Sequence, residues 1–419
     1  MTKLLRGRPI YIIITMMLAI VATAVWIISR PRPFDGTIAV DGWRQFPLGL
    51  YIAGRDYSDA ELIRWRDAGI NIIGCLTVAD LQHAERLGLM GWFPYPLKVY
   101  NDSTEALALS VIDSAGREPA LAVWHGPDEE GYGKAWFPAT RTIAEGRFDW
   151  CATPQRAHET LTRLDSLVDG YRRGHELLKR NDKQHPLWLN DVPIVSELTL
   201  QGVGPFCDVL GFDYYPVSVP IRTHLDEQGL FMDRYHRANP TKPIWTVQQG
   251  FSWANDHPSE YRRFESTSGS LPPSYNQMRF LAWQSIAHGA SGLFWWGAHM
   301  SQPEDSLLAD VRAVVGEIAQ YQDFLIGEPI ESLNIYPDPN CSIRSPGWSM
   351  IARRHGSELM LVIVNEQPRF DEGILAGIPD SWYYPLNFID GFQWTAAGDH
   401  KAIVCMGPQT VRVVIGPAP

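Results

Sequence analysis

From residue 47 onward the chain repeats one theme: a short apolar run rich in β-forming residues, a polar loop, then a stretch with helical periodicity. Strands that alternate with helices in this way pair in parallel, because the crossover helix brings each strand back in the same direction. The apolar runs predict strands at 47–53, 71–75, 89–93, 120–124, 186–190, 208–213, 243–248 and 291–296. Eight strands with their helices match the usual size of a closed barrel. The fold class read from the sequence is therefore α/β, a (β/α)8 TIM barrel over residues 40–327. The competing architecture, a doubly wound sheet that binds a dinucleotide, would place a glycine-rich phosphate loop after the first strand. Gly54-Arg55-Asp56-Tyr57 lacks that spacing.

Helix boundaries are readable from caps. Ser58 is expected to cap a helix through Ala68, with Glu61 completing a capping box and Gly69 closing the helix at a site that tolerates positive φ. Asp102 or Ser103 starts another helix. Thr153-Pro154 opens a long one to about Arg180, in which Leu161, Leu164, Leu167, Val168 and Tyr171 follow helical spacing. Ser274 begins a helix through His288 and Asp305 one through Phe324. After about residue 328 the character changes. Runs at 348–353, 359–365 and 410–415 read as strands between turns rich in Pro, Gly, Asn and Asp. Residues 328–419 are expected to form a small antiparallel β-sandwich with a structural role.

The N-terminus carries an address. Lys3, Arg6 and Arg8 precede an uncharged run from Ile10 to Ile28, and Arg30 and Arg32 follow it. As a helix this run would rise about 28 Å, close to the hydrocarbon thickness of a bilayer. The expected anchor is residues 1–33, a single transmembrane helix in the inner or cytoplasmic membrane with the bulk of the chain extracytoplasmic. The alternative is a secreted or periplasmic protein released by signal cleavage, for which Ala22-Thr23-Ala24 offers a small-x-small pattern, placed inside the apolar run rather than after it. Membrane and carbohydrate are the partners expected. A formal net charge of −11 argues against nucleic acid, which demands a basic surface. Neither the five cysteines nor the twelve histidines fall at metal-ligand spacing, so no metal and no cofactor is expected.

In such a barrel the chemistry lies at the C-terminal ends of the strands. Strand four breaks at Gly126-Pro127 and leaves Asp128, Glu129 and Glu130 over the mouth, beside Trp124. A carboxyl crowded by like charges and partly buried has its pKa raised, as a general acid for a glycosidic oxygen requires. Strand six places Val209, Gly211 and Asp213 on one face, with Asp213 at the mouth and Tyr215 just beyond it. Strand seven ends in Gln248, Gln249 and Trp253, and strand eight in Trp295 and Trp296, of which one is expected to touch ligand. Other strand ends supply Tyr51, Asp80, Tyr95, Lys98, Tyr100, Asn190 and Asp191. Sixteen each of Trp, Tyr and Phe suit a mouth where sugar rings stack, with neighbouring polar groups for their hydroxyls. The candidate substrate-binding residues are Asp128, Trp124, Tyr215, Gln249, Trp253, Trp296 and Tyr51. The segment 134–150 is expected to shape specificity.

Trp124–Glu130, Gly211-Phe212-Asp213-Tyr214-Tyr215-Pro216, Lys242–Trp245 with Gln249-Gly250-Phe251, and Met278-Arg279 through His288–Leu293 resemble the clan A glycoside hydrolases. The likeness is to bacterial members with a Trp-x-x-x-Asp-Glu-Pro motif on strand four, and it covers strands four to eight. It implies that Glu129 is the acid/base and that Asp128 stands where the clan often has Asn. This sequence departs from the pattern twice. Glu130 replaces the proline, and Gln248 and Gln249 stand where strand seven should supply a nucleophilic Glu. An amide cannot form a glycosyl ester. Either Asp213 serves as nucleophile or as base to a water, or the site binds without cleaving. A carboxyl separation of about 5–5.5 Å would favour retention and about 6.5–9.5 Å inversion. The reading is a membrane-anchored extracytoplasmic glycoside hydrolase with Glu129 and Asp213 as catalytic carboxylates. The alternative is a non-catalytic saccharide-binding or polysaccharide-assembly protein on the same barrel.

Overall fold

Each apolar run becomes a strand whose alternate residues face the barrel axis and the surrounding helices. The computed structural model of the chain describes residues 34–40, 42–131, 154–217, 224–253, 271–301, 305–338, 347–378, 382 and 394–418. The expected anchor and the segment 134–150 lie outside them. Among the described residues no helix is long and apolar enough to cross a membrane. Residues Asp35–Pro419 form one compact unit that holds the barrel and the sheets beyond it.

Eight parallel strands close the barrel in chain order: β1 (Leu48–Ala53), β2 (Ile72–Gly74), β3 (Met90–Pro94), β4 (Leu121–His125), β5 (Leu187–Asp191), β6 (Val209–Tyr214), β7 (Ile244–Gln249) and β8 (Ala290–Trp296), with β8 pairing back to β1. Among the described residues the α-helices are α1 (Asp59–Asp67), α2 (Val78–Arg86), α3 (Asp102–Ala115), α4 (Pro154–Asn181), α5 (Glu197–Val203), α6 (Glu227–Ala238), α7 (Tyr275–Ala287), α8 (Ser306–Ala319) and the one-turn α9 (Gln322–Leu325), so the helix expected from Asp305 through Phe324 is broken after Ala319. Ser58 and Glu61 form the expected capping box on α1, and Gly69 takes φ +115° just beyond it. Ser274 and Gln277 form a second box on α7. Asn101, rather than Asp102 or Ser103, caps α3, because its side chain accepts the Thr104 N–H.

The barrel interior is aromatic. Rings of Tyr51, Trp92, His125, Trp188, Trp245 and Phe294 meet across the axis at centroid distances of 4.5 to 5.5 Å. Such large side chains fit because the neighbouring strand supplies a glycine beside several of them. A Cβ on Gly49 would lie 2.3 Å from Phe294, on Gly74 2.5 Å from Trp92, on Gly211 2.4 Å from Trp188 and on Gly292 2.6 Å from Trp245. The space that Gly211 leaves beside Asp213 is thus taken by an indole. A hairpin of residues 38–40 and 43–45 covers the N-terminal end, where Trp245 Nε1 donates to Gly36 O and Gln322 bonds both backbone groups of Phe46.

Among the described residues eight more strands follow the barrel: β9 (Glu328–Pro329), β10 (Asn334–Pro337), β11 (Trp348–His355), β12 (Glu358–Asn365), β13 (Asp371–Ala376), β14 (Thr395–Gly398), β15 (Lys401–Met406) and β16 (Thr410–Pro417). They form two antiparallel sheets, β9-β11-β12-β16 and β10-β13-β15-β14. Strand β12 explains their placement. Leu359, Leu361 and Ile363 pack against the second sheet with Leu375, Trp382 and Val404. Met360, Val362 and Val364 point the other way, into the core shared with α7. A strand apolar on both faces is what a layer buried on both sides requires.

Candidate active site

Strand β4 runs Leu121-Ala122-Val123-Trp124-His125, and alternation decides which side chains reach the mouth. His125 faces the axis. Trp124, expected to touch substrate, faces outward instead: it is fully buried among the helices, and its Nε1 donates to Asp182 at 2.8 Å. This corrects its assignment, and the reason is a strand that lies one residue further along than expected and ends at His125.

After Pro127 the chain turns through Asp128, Glu129, Glu130 and Gly131, with Glu129 in the left-handed region at φ +51°. Each position has a tether. The Asp128 Oδ1 accepts the Tyr51 hydroxyl at 2.6 Å and the Asn190 amide at 3.1 Å. The Glu129 N–H donates to Asn190 O at 3.1 Å. Glu130 pairs with Lys98 at 2.7 Å, and Gly131 N–H donates to Asp191 Oδ2 at 2.6 Å.

The Tyr51 hydroxyl also lies 2.7 Å from His125 Nε2. Burial pushes the imidazole down to about 4, so His125 is neutral at ordinary pH, and burial and the Asp128 charge hold Tyr51 protonated. With the tyrosine proton directed to Asp128, the imidazole must carry its own proton on Nε2 and donate it to the tyrosine oxygen. The chain His125 to Tyr51 to Asp128 makes Asp128 an acceptor held in place.

Asp213, at the end of β6, is 8% exposed. Burial first, and then the charges of Glu129 and Asp128, raise its carboxyl well above the usual range, and the neighbouring Glu129 carboxyl adds a smaller side-chain hydrogen-bond contribution. Two carboxyl groups bond to each other only when one of them holds a proton, so the pair shares one. Burial first, and then the charges of Asp213, Asp128 and Glu129, hold the Tyr215 hydroxyl protonated beside the pair. The Asp213 Oδ1 has no hydrogen-bond partner among the described residues. One wall beyond the pair is aromatic: Tyr215 stacks on Trp296 with centroids 5.4 Å apart, and Trp253 lies edge-on to Tyr215, its Nε1 donating to Tyr215 O.

Five predicted residues, Tyr51, Asp128, Glu129, Asp213 and Tyr215, therefore converge, with Trp253 and Trp296 alongside. Gln249 is at the mouth's edge in sequence but not in chemistry. It is 1% exposed; its oxygen accepts Val217 N–H and its amide donates to Val217 O and Phe251 O, so it holds loops and has no group left for a sugar. Gln248 bonds to Thr246 and Ser285 within the core. Of the other strand-end residues, Asp80 completes the cap of α2 and Tyr95 donates to Gly174 O. His125 and Trp188 were not singled out in the sequence; strict alternation from Val123 and from Asn190 would have placed both inward. Among the described residues no cluster of His, Cys, Asp or Glu could hold a metal ion. Cys75 and Cys207 are buried and Cys405 is exposed, none in a disulfide.

No family model matches the sequence, and no curated protein matches it. Solved structures do. A catalytic mutant of a GH42 β-galactosidase from G. stearothermophilus superposes with TM-score 0.57 at 10% identity, over 92% of this chain and 100% of that one. The cold-adapted β-galactosidase from Rahnella sp. R3 gives 0.54 at 9% identity, over 91% and 99%. The structural neighbours are clan A glycoside hydrolases. Another, a β-galactosidase from the haloarchaeon Halorubrum lacusprofundi, is 15% identical with TM-score 0.46 over 66% of this chain, which spans 58% of its length. At these identities the likeness is one of fold.

Proposed function

We propose that this chain is a glycoside hydrolase in which Glu129 protonates the glycosidic oxygen and Asp213 acts as base toward water or as nucleophile. The observation that carries the reading is the contact between the Glu129 and Asp213 carboxyls at the mouth of the barrel. A pair that shares one proton holds one acid and one base at the same pH, the two forms that acid–base cleavage of a glycoside uses. Asp128, held as an acceptor by Tyr51 and Asn190, is placed to bind a sugar hydroxyl, and Tyr215, Trp296 and Trp253 offer faces for ring stacking.

The test is hydrolysis of a panel of 4-nitrophenyl glycosides, with β-galactosides first because two neighbours of this fold are named β-galactosidases. Glu129→Gln should lower turnover by about 10²–10⁴-fold on a substrate the wild type cleaves, with the fold unchanged by circular dichroism. Undiminished turnover would sink the assignment. A second reading, a saccharide-binding or polysaccharide-assembly protein, is favoured by β7, which ends in two engaged amides and no carboxylate. Calorimetric binding of oligosaccharides without product after long incubation would select it. In either reading the run from Ile10 to Ile28 is proposed to tether the barrel to the outer side of the cytoplasmic membrane. Release of the full-length protein from membranes by alkaline carbonate would count against that tether.

A further inference from the structure

The turn that presents Glu129 is an unfavourable one. A non-glycine residue at φ +51° costs about 1–2 kcal/mol and persists only where its surroundings hold it. The holding comes from the end of β5. Asn190 accepts the Glu129 N–H through its carbonyl, and Asp191 accepts the Gly131 N–H at 2.6 Å through Oδ2 and the Val192 N–H at 2.8 Å through Oδ1. The fit at Gly131 leaves no latitude, since a Cβ there would lie 2.5 Å from Asp191 Oδ2. The Lys98–Glu130 pair is partly solvated and long-armed, and sets no backbone angle.

We propose that Asp191 is a positioning residue that sets the Glu129 carboxyl against Asp213 by pinning the turn after β4 through the Gly131 N–H. Burial, opposed by the two backbone N–H bonds, pushes the Asp191 carboxyl up to about 8. A cavity of about 20 Å³, lined by Pro127, Gly131, Tyr171 and Asp191, lies beside the bond. That is room for about one water, and room into which the turn relaxes once the bond is cut. The role rests on the reading of Glu129 and Asp213 as the reacting pair.

Crystal structures of Asp191→Asn and Gly131→Ala, with the kinetics of both variants, test the proposal. The Asn side chain offers N–H where one backbone N–H needs an acceptor, and the alanine displaces the same N–H from its carboxylate. Both should move Glu129 out of the left-handed region and break its contact with Asp213. On any glycoside the wild type cleaves, kcat should fall about 10²-fold while KM changes less than about threefold, the pattern of a misplaced reacting group. Both variants retaining φ near +51° and the Glu129–Asp213 contact would overturn the proposal. If the wild type cleaves nothing in the panel, the hydrolase reading fails, yet the two structures still decide whether Asp191 sets the turn.

Discussion

At the scale of single residues, the site holds one buried carboxyl, Asp213, whose ionisation the fold opposes. Asp213 shows the sign. An acid whose pKa is raised in the folded state opposes folding once the unfolded chain would ionise it, so its cost is absent below the ordinary carboxylate range and grows as pH rises. Asp213→Asn should therefore unfold at higher urea than the wild type at pH 8 and at nearly the same urea at pH 4, while losing hydrolysis. Equal midpoints at pH 8 would mean that Asp213 is not held at a cost. Asp128 differs, because Tyr51 and Asn190 give it donors and His125 completes the chain behind them. Much of this was legible: Glu129 and Asp213 stand out as strand-end carboxylates. Their sharing of one proton was not, because it depends on how far the β4 turn leans across the mouth toward β6.

At the scale of elements, the strands lay within a residue or so of their expected positions, since a parallel strand buried on both faces is a nearly continuous apolar run. One residue of error still mattered, because ending strand four at Trp124 put the wrong side chain over the mouth. Strands β13 and β15 escaped notice in the sequence. Asp371–Ala376 opens on two acids and includes a glycine, and half of each strand is partly buried or exposed. Helix α5 spans seven residues, too few to show a periodicity. The interior makes a sharper prediction. Gly49→Ala would drive a methyl to 2.3 Å from the Phe294 ring, which is itself packed on Trp188 and Trp245. Overpacking should destabilise the protein by about 1–3 kcal/mol, read from urea unfolding, and a loss under about 0.5 kcal/mol would mean the barrel interior yields more than its packing indicates.

At the scale of the whole molecule, the sheets and the barrel share one compact unit and are fastened by charge as well as by β12. His288, just after α7, contacts Asp233 of α6 at 2.7 Å and Glu366 just after β12 at 2.6 Å. Those carboxylates outweigh burial and raise the imidazole from its ordinary 6.5 to about 9. A raised histidine adds stability that is fully present below pH 6.5 and lost as pH rises through 9. Stability should thus decline between about pH 6.5 and 9.5, and His288→Gln should make that decline shallower, leaving the share that the raised carboxyls of Asp213 and Asp191 contribute. An unchanged pH dependence in the variant would assign it elsewhere. Arg279 of α7 extends the join, pairing with Glu317 of α8 and donating to Val411 O of β16.

The sequence by itself determined the eight-stranded parallel barrel, the strand-rich region that follows it and the carboxylates at the mouth, because all three arise from local pattern: period, cap chemistry and position at a strand end. Only the tertiary structure decided that Trp124 turns away while His125 turns in, that Gln249 is a staple between loops, and that Glu129 and Asp213 touch. Those outcomes depend on distances between residues far apart in the chain, which the closure of the barrel sets and no local pattern encodes.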